Sequence, residues 1–138
     1  VARAAAQTLP LAAAPLVVGQ AVVGLPLTPA SVAQLGRPTT DSEVQVITCG
    51  ELAIVGLPGE PLVGLAQEIK RASPFPHTLV LGYSNGDGVE YVGLPGEKAK
   101  GGYEMGPYGL GTDECGGILV ATAGRLLEEH WAAAKRGL

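Results

Sequence analysis

A single carboxylate and two phenols carry the chemical interest of this sequence. Glu60 follows the apolar run Leu52-Ala53-Ile54-Val55 and the turn signal Gly56-Leu57-Pro58-Gly59, and Pro61 comes directly after it. A proline suits the first position of a helix, where its missing N–H costs nothing, so the pattern predicts a strand, a turn with Glu60, then a helix. At such a junction the positive end of the helix favours the ionised carboxylate. A fixed, charged oxygen there suits a metal ligand, and it equally suits a surface glutamate that complements the helix dipole. Residue type and spacing leave both readings open. Tyr91 and Tyr103 follow, the second within Gly101-Gly102-Tyr103-Glu104. A phenol oxygen can ligate zinc or hydrogen-bond a developing oxyanion, although a loop tyrosine more commonly packs its ring and wets its hydroxyl.

Other chemistries find less support. His77 and His130 share no ligand spacing, and Ser73 and Ser84 have no His–Asp constellation to activate them. Asn85, between Ser84 and Gly86, reads as a turn former. The glycine-rich stretches match neither a phosphate-binding P-loop nor a dinucleotide fingerprint. The net charge of −4 and the absence of a basic cluster argue against nucleic acid as a partner. No apolar run approaches the roughly 18 residues of a bilayer span, so no transmembrane segment is expected. Cys49 and Cys115 are too few for a disulfide framework; one bridge between them is open to the sequence, and two buried free thiols is the preferred reading.

The elements that must position these groups follow from hydrophobic patterning. One Phe and one Trp among 138 residues leave Ala, Val, Leu and Ile to build the core. With 21 Gly and 11 Pro but no repeat period, the chain must turn often. Ala2–Gln7 reads as the last turns of a helix stopped by Pro10. Val17–Leu27 reads as a strand, and Ala30–Asp41 as a connection with a helical turn at Ser31–Leu35. Val44–Ile47 and Leu52–Val55 form a hairpin about Cys49-Gly50-Glu51. A helix from Pro61 buries Leu62, Leu65, Ala66 and Ile69, and His77–Gly82 is a strand of the buried type. Residues 85–116 are loop-rich, with Val89–Val92 the short strand among them. The last helix, Gly117–Lys135, places Leu119, Ala123, Leu126, Leu127 and His130 on one face. Residues 1–138 make one domain or domain fragment, 1–42 holding the first strand and connection and 43–138 the α/β region with the site residues. The fold class is α/β, a mixed β-sheet with flanking helices.

In order and spacing, Glu51–Pro61, Ile69–Phe75, Leu81–Gly86, Tyr91-Val92 and Gly101–Glu104 resemble the neutral/alkaline non-lysosomal ceramidase-like family, over most of residues 43–135. The resemblance implies the C-terminal portion of a ceramidase-like catalytic domain, a zinc amidohydrolase that cuts an N-acyl amide bond. It implies Glu60 and Tyr91 as Zn²⁺ ligands and Tyr103 as the residue that polarises the scissile carbonyl. The metal would acidify a bound water, whose hydroxide attacks the amide carbon. Two histidine ligands and the active-site serine of the family precede Val1. The partners implied are therefore an upstream part of the same protein or a complementing chain, and an N-acyl lipid or other amide substrate. The chain alone is expected to be inactive. The loop from Asn85 to Tyr91 is one residue longer than the family's, with Asp87 where an aromatic is usual, and Gly93-Leu94-Pro95-Gly96 replaces its Pro-Thr continuation. Homologues are often exported, implying a secreted or periplasmic setting that the residues themselves do not demonstrate. The alternative is a non-catalytic, self-assembling subunit, a homo-oligomer that retains the fold.

Overall fold

The computed structural model describes Thr8 and residues 14–136. The helical turns expected at Ala2–Gln7 lie outside those residues. Strand β1 (Leu16–Pro26) pairs antiparallel with β2 (Thr39–Cys49), which pairs antiparallel with β3 (Leu52–Gly56) through the expected hairpin. Its turn places Gly50 at φ 58°, a conformation that favours glycine. Strand β5 (His77–Leu81) lies parallel to β3, so one four-stranded sheet runs β1-β2-β3-β5. A separate two-stranded sheet joins β4 (Glu60–Pro61) to β6 (Tyr91–Val92).

Among the described residues three α-helices complete the architecture, which is mixed α/β as the sequence indicated. The turn expected at Ser31–Leu35 is a helix, α1 (Pro29–Leu35), with Thr28 accepting the Ser31 N–H and Gly36 closing it at φ 68°. The second, α2 (Val63–Ala72), buries Leu65 and Ile69 and ends before Ser73-Pro74. The third, α3 (Cys115–Lys135), starts two residues earlier than expected and buries Leu119, Ala123, Leu126 and Leu127.

α3 packs on β1 and β2, and α2 packs on β5 and on α3, so both helices cover the same side of the sheet. The core fills the layer between them. Alternate strand residues Val44, Val46, Ala53 and Val55 point into it and are fully buried. Phe75 and Trp131 close its far end edge to face, their ring centroids 4.9 Å apart.

Three expectations need correction. Pro61 does not begin the helix. The N–H groups of Glu60 and Leu62 donate to Glu90 and Val92 carbonyls at 2.9 Å, so a β-ladder captures this segment and delays the helix to Val63. Pro61 falls between the two donors, where the ladder needs no N–H. Glu60 therefore lies in a short strand, ahead of the helix end. β5 is an edge strand, not a buried one: Leu79 and Leu81 are half exposed because only one face of the sheet is covered. Cys49 and Cys115 are free thiols as expected, but Cys49 is only half-buried, on the uncovered face.

Candidate functional site

Glu60 and Tyr91 meet because β4 pairs with β6, where they are register partners. That ladder sits just past the carboxyl ends of β3 and β5, the parallel pair of the main sheet. Open α/β sheets commonly bind ligands at such ends. The turn that sends the chain there depends on Gly59, whose N–H donates to Gly86 O at 2.9 Å and whose carbonyl accepts the Tyr83 N–H at 2.8 Å. Gly59 adopts φ 66°, and a side chain there would run into backbone: a Cβ would lie 2.4 Å from Glu90 O.

The carboxylate of Glu60 faces the hydroxyls of both Tyr83 and Tyr91. Its pull as a hydrogen-bond acceptor favours the neutral phenols, and desolvation and its negative charge oppose ionisation further. The Tyr91 phenol is pushed up to about 12, and the Tyr83 phenol is raised as well. Tyr103 stands next to Tyr91 with ring centroids 6.2 Å apart and planes at 74°. Its other side leans on Tyr108 at 4.7 Å. Tyr108 also anchors the pair from behind, its carbonyl accepting the Tyr91 N–H at 3.3 Å.

The loops that bring these groups in are tied by side chains. Lys98 Nζ donates to the carbonyls of Gly109 and Gly111 at 2.6 and 2.9 Å. Asp113 accepts the Gly96 N–H at 2.6 Å, and Glu97 accepts the Leu94 N–H at 2.7 Å. The opposite wall is unusual in its backbone. Tyr83, Asn85 and Glu90 all adopt positive φ, at 52°, 62° and 58°. Such conformations cost roughly 1–3 kcal/mol each and persist where surrounding structure enforces them, which happens often at functional sites. Here the enforcing bonds include Ser84 N–H to Leu57 O at 3.0 Å and Glu90 N–H to Asp87 O at 2.9 Å. The result is an open cleft of about 270 Å³ lined by Gly59, Glu60, Tyr83, Gly86, Asp87 and Glu90.

The structure thus brings together the three residues singled out in the sequence: Glu60 beside Tyr91, and Tyr91 beside Tyr103. It adds two that the sequence reading passed over, Tyr83 and Tyr108. Tyr83 was detectable, as a large side chain in a glycine turn directly after an apolar strand. The histidines stand apart from the cleft. His77 opens β5 at the far end from the cleft, and His130 Nδ1 lies 3.2 Å from Thr48 Oγ1. Among the described residues no group of three or more His, Cys, Asp or Glu side chains gathers as a metal centre. A carboxylate and a phenol match zinc in donor type, but together they fill half of a tetrahedral site.

No family model matches the chain, and neither does any curated protein. Solved structures do match. A ceramidase complexed with C2 aligns over 65% of this chain at 25% identity, with a TM-score of 0.54. Over that 65%, the chain resembles a segment of neutral ceramidase in fold. The neutral ceramidase from Pseudomonas aeruginosa gives the same answer, over 65% of this chain at 26% identity and a TM-score of 0.53. These alignments take in 15% and 16% of the ceramidase chains, so this chain spans a small part of the proteins it matches. The structural likeness to neutral ceramidase agrees with the resemblance carried by the sequence motifs.

Proposed function

We propose that this chain is the segment of a zinc-dependent amidohydrolase of the neutral-ceramidase type that supplies Glu60 and Tyr91 to the metal and Tyr103 to the substrate. One observation carries the reading: on a ceramidase-like fold, Glu60 and Tyr91 are register partners and the Tyr103 ring adjoins that of Tyr91. Zinc, when bound, acidifies a coordinated water for attack on an N-acyl amide. The chain's own part is to hold two oxygen donors together. Glu60 is the charged donor, and Tyr83 fixes the direction of its carboxylate. Tyr91 must give up its hydroxyl proton to ligate, which the Glu60 charge opposes until a cation offsets it. Tyr103, with its hydroxyl accessible and its ring braced by Tyr108, hydrogen-bonds the amide carbonyl oxygen as negative charge develops there.

The remaining ligands are histidines outside this sequence, from upstream in the same polypeptide or from a complementing chain. The test is zinc content and N-acyl amide hydrolysis in the natural protein. Glu60→Ala should lose the zinc while the circular dichroism spectrum stays intact. Unchanged zinc in that variant would remove Glu60 from the site and end this reading. The non-catalytic, self-assembling subunit that keeps the fold is the second reading. A zinc-free homo-oligomer without hydrolytic activity is its signature.

A further inference from the structure

The main sheet has two edges, and they differ. β5 has 5 residues between Pro76 and Gly82, whereas β1 runs for 11, about twice the usual ~5–6. Two hydrogen bonds fix which backbone groups of β1 face outward. Leu27 N–H donates to Pro38 O across the β1–β2 joint, while Pro26 O turns the other way and accepts the Thr112 N–H, each at 2.9 Å. Backbone groups alternate along a strand, and the β1–β2 register is unbroken from Leu16 to Pro26. Leu16, Val18, Gln20, Val22 and Gly24 therefore aim their N–H and C=O groups out of the sheet. Residues 110–112 cover this edge only at Pro26–Thr28. From Leu16 to Gly24 no described residue pairs with it. Proteins blunt such edges with Lys, Pro, bulges or short length, and this stretch has none of these.

The sequence of the edge selects its occupant. Val17-Val18-Gly19-Gln20-Ala21-Val22-Val23 reads nearly the same in both directions about Gln20. A two-fold joint requires that symmetry, because each position meets its counterpart from the opposite end of the other strand. A foreign strand requires none. We infer that β1 is the seat of a second copy of this chain, the two strands pairing antiparallel about a two-fold axis at Gln20. In that register Val18 faces Val22 of the second copy, Leu16 faces its Gly24, and the two Gln20 residues face each other. All of these positions point outward, so every free N–H and C=O from Leu16 to Gly24 gains a partner. Val18 and Val22, 53% and 62% exposed, become cross-strand neighbours on the uncovered face. On that face β2 sets Gln45 beside Gln20, Glu43 beside Val22 and Asp41 beside Gly24. The acids thus stand one strand back from the joint, and a row of glutamines, Gln45 and Gln20 from each copy, crosses it. Two chains of net charge −4 meet there with no like charges directly opposed. The joint uses no residue of the Glu60 cleft, so the inference stands apart from the hydrolase reading.

Sedimentation velocity of the natural protein over a dilution series is the test, and it should find a dimer. Gln20→Lys sets two ammonium groups against each other at the axis and should weaken that dimer ~5-fold. Gln20 is exposed, so the circular dichroism spectrum should not change. Gln20→Glu should weaken the dimer alike. An equal mixture of the Lys and Glu variants should recover it as a heterodimer, because only at the axis does a residue meet its own copy. Gln45→Lys, one strand back, should leave the dissociation constant unchanged. A protein monomeric at every concentration would overturn the inference. So would a Gln20→Lys protein that dimerises like the native chain, or a Lys–Glu mixture no tighter than either variant alone.

Discussion

Replacing Gly59 with alanine tests how the site is held. The new Cβ would lie 2.4 Å from Glu90 O and 2.8 Å from Asp87 O, both backbone atoms that cannot rotate away. Holding alanine at φ 66° costs ~1 kcal/mol before any contact is counted. Relief of the overlap must push the 87–90 loop outward, since Glu90 O is the acceptor of the Glu60 N–H. It must also loosen the Tyr83 N–H bond to the Gly59 carbonyl. Two backbone bonds at ~1 kcal/mol each bring the expected loss to ~3 kcal/mol. Urea unfolding followed by circular dichroism should show that loss as a lower midpoint, and thermal unfolding as a fall of roughly 10 °C in Tm. Gly86→Ala is the matched control, with positive φ of 103° but nothing within 4 Å of the added carbon. It should show the conformational cost alone. A Gly59→Ala protein as stable as Gly86→Ala would refute the steric argument, and with it the claim that Gly59 sets the Glu60–Tyr91 pairing.

Three further outcomes are expected. Spectrophotometric titration should find Tyr91 ionising near 12, and Glu60→Gln should bring it down by weakening the hydrogen-bond acceptor and removing the charge beside it. Because the folded-state value lies above the unfolded one, this interaction's contribution to stability is complete below pH ~10 and is lost as pH rises toward 12. Lys98→Met removes two charge-assisted bonds to carbonyls and should cost ~2 kcal/mol, with faster hydrogen exchange confined to residues 93–111. Gly19→Ala would place a Cβ 2.3 Å from His130 Nε2, so the ring must swing and give up Thr48 at a cost of ~1 kcal/mol. His130→Ala should abolish the penalty of Gly19→Ala in a double-mutant cycle, and a penalty that survives would contradict the contact.

The main sheet was legible where its strands are aliphatic runs closed by Pro or Gly, and because Cys49-Gly50-Glu51 leaves room only for a tight turn; the polar start of β2 was not, and Thr39–Asp41, expected as connection, pairs with β1. The two long helices were legible through period: Leu65 and Ile69, then Leu119, Ala123 and Leu126, fall on single faces. The two-residue ladder was not. Glu60-Pro61 carries no strand pattern of its own, and its partner is 31 residues away, so local propensity favoured the helix that actually begins at Val63. The exposure of β5 was hidden for a related reason. Thr78-Leu79-Val80-Leu81 is uniformly apolar, and a strand's own sequence does not say how many of its faces are covered. The grouping of Glu60, Tyr91 and Tyr103 was expected from the family resemblance, whereas Tyr83 and Tyr108 enter the candidate site through contacts that spacing does not encode.

The missing N–H of Pro61 gives the short ladder a directional safeguard. Donors alternate along this segment, present at Glu60 and Leu62 and absent between them. Were the segment to slide by one step against Tyr91-Val92, the proline would face an acceptor with nothing to offer it, and Glu60 would turn to the opposite side. Mispairing is thus penalised twice in a sheet too small to resist it by length. The imino ring that seemed to announce a helix instead keeps the acid facing its phenol.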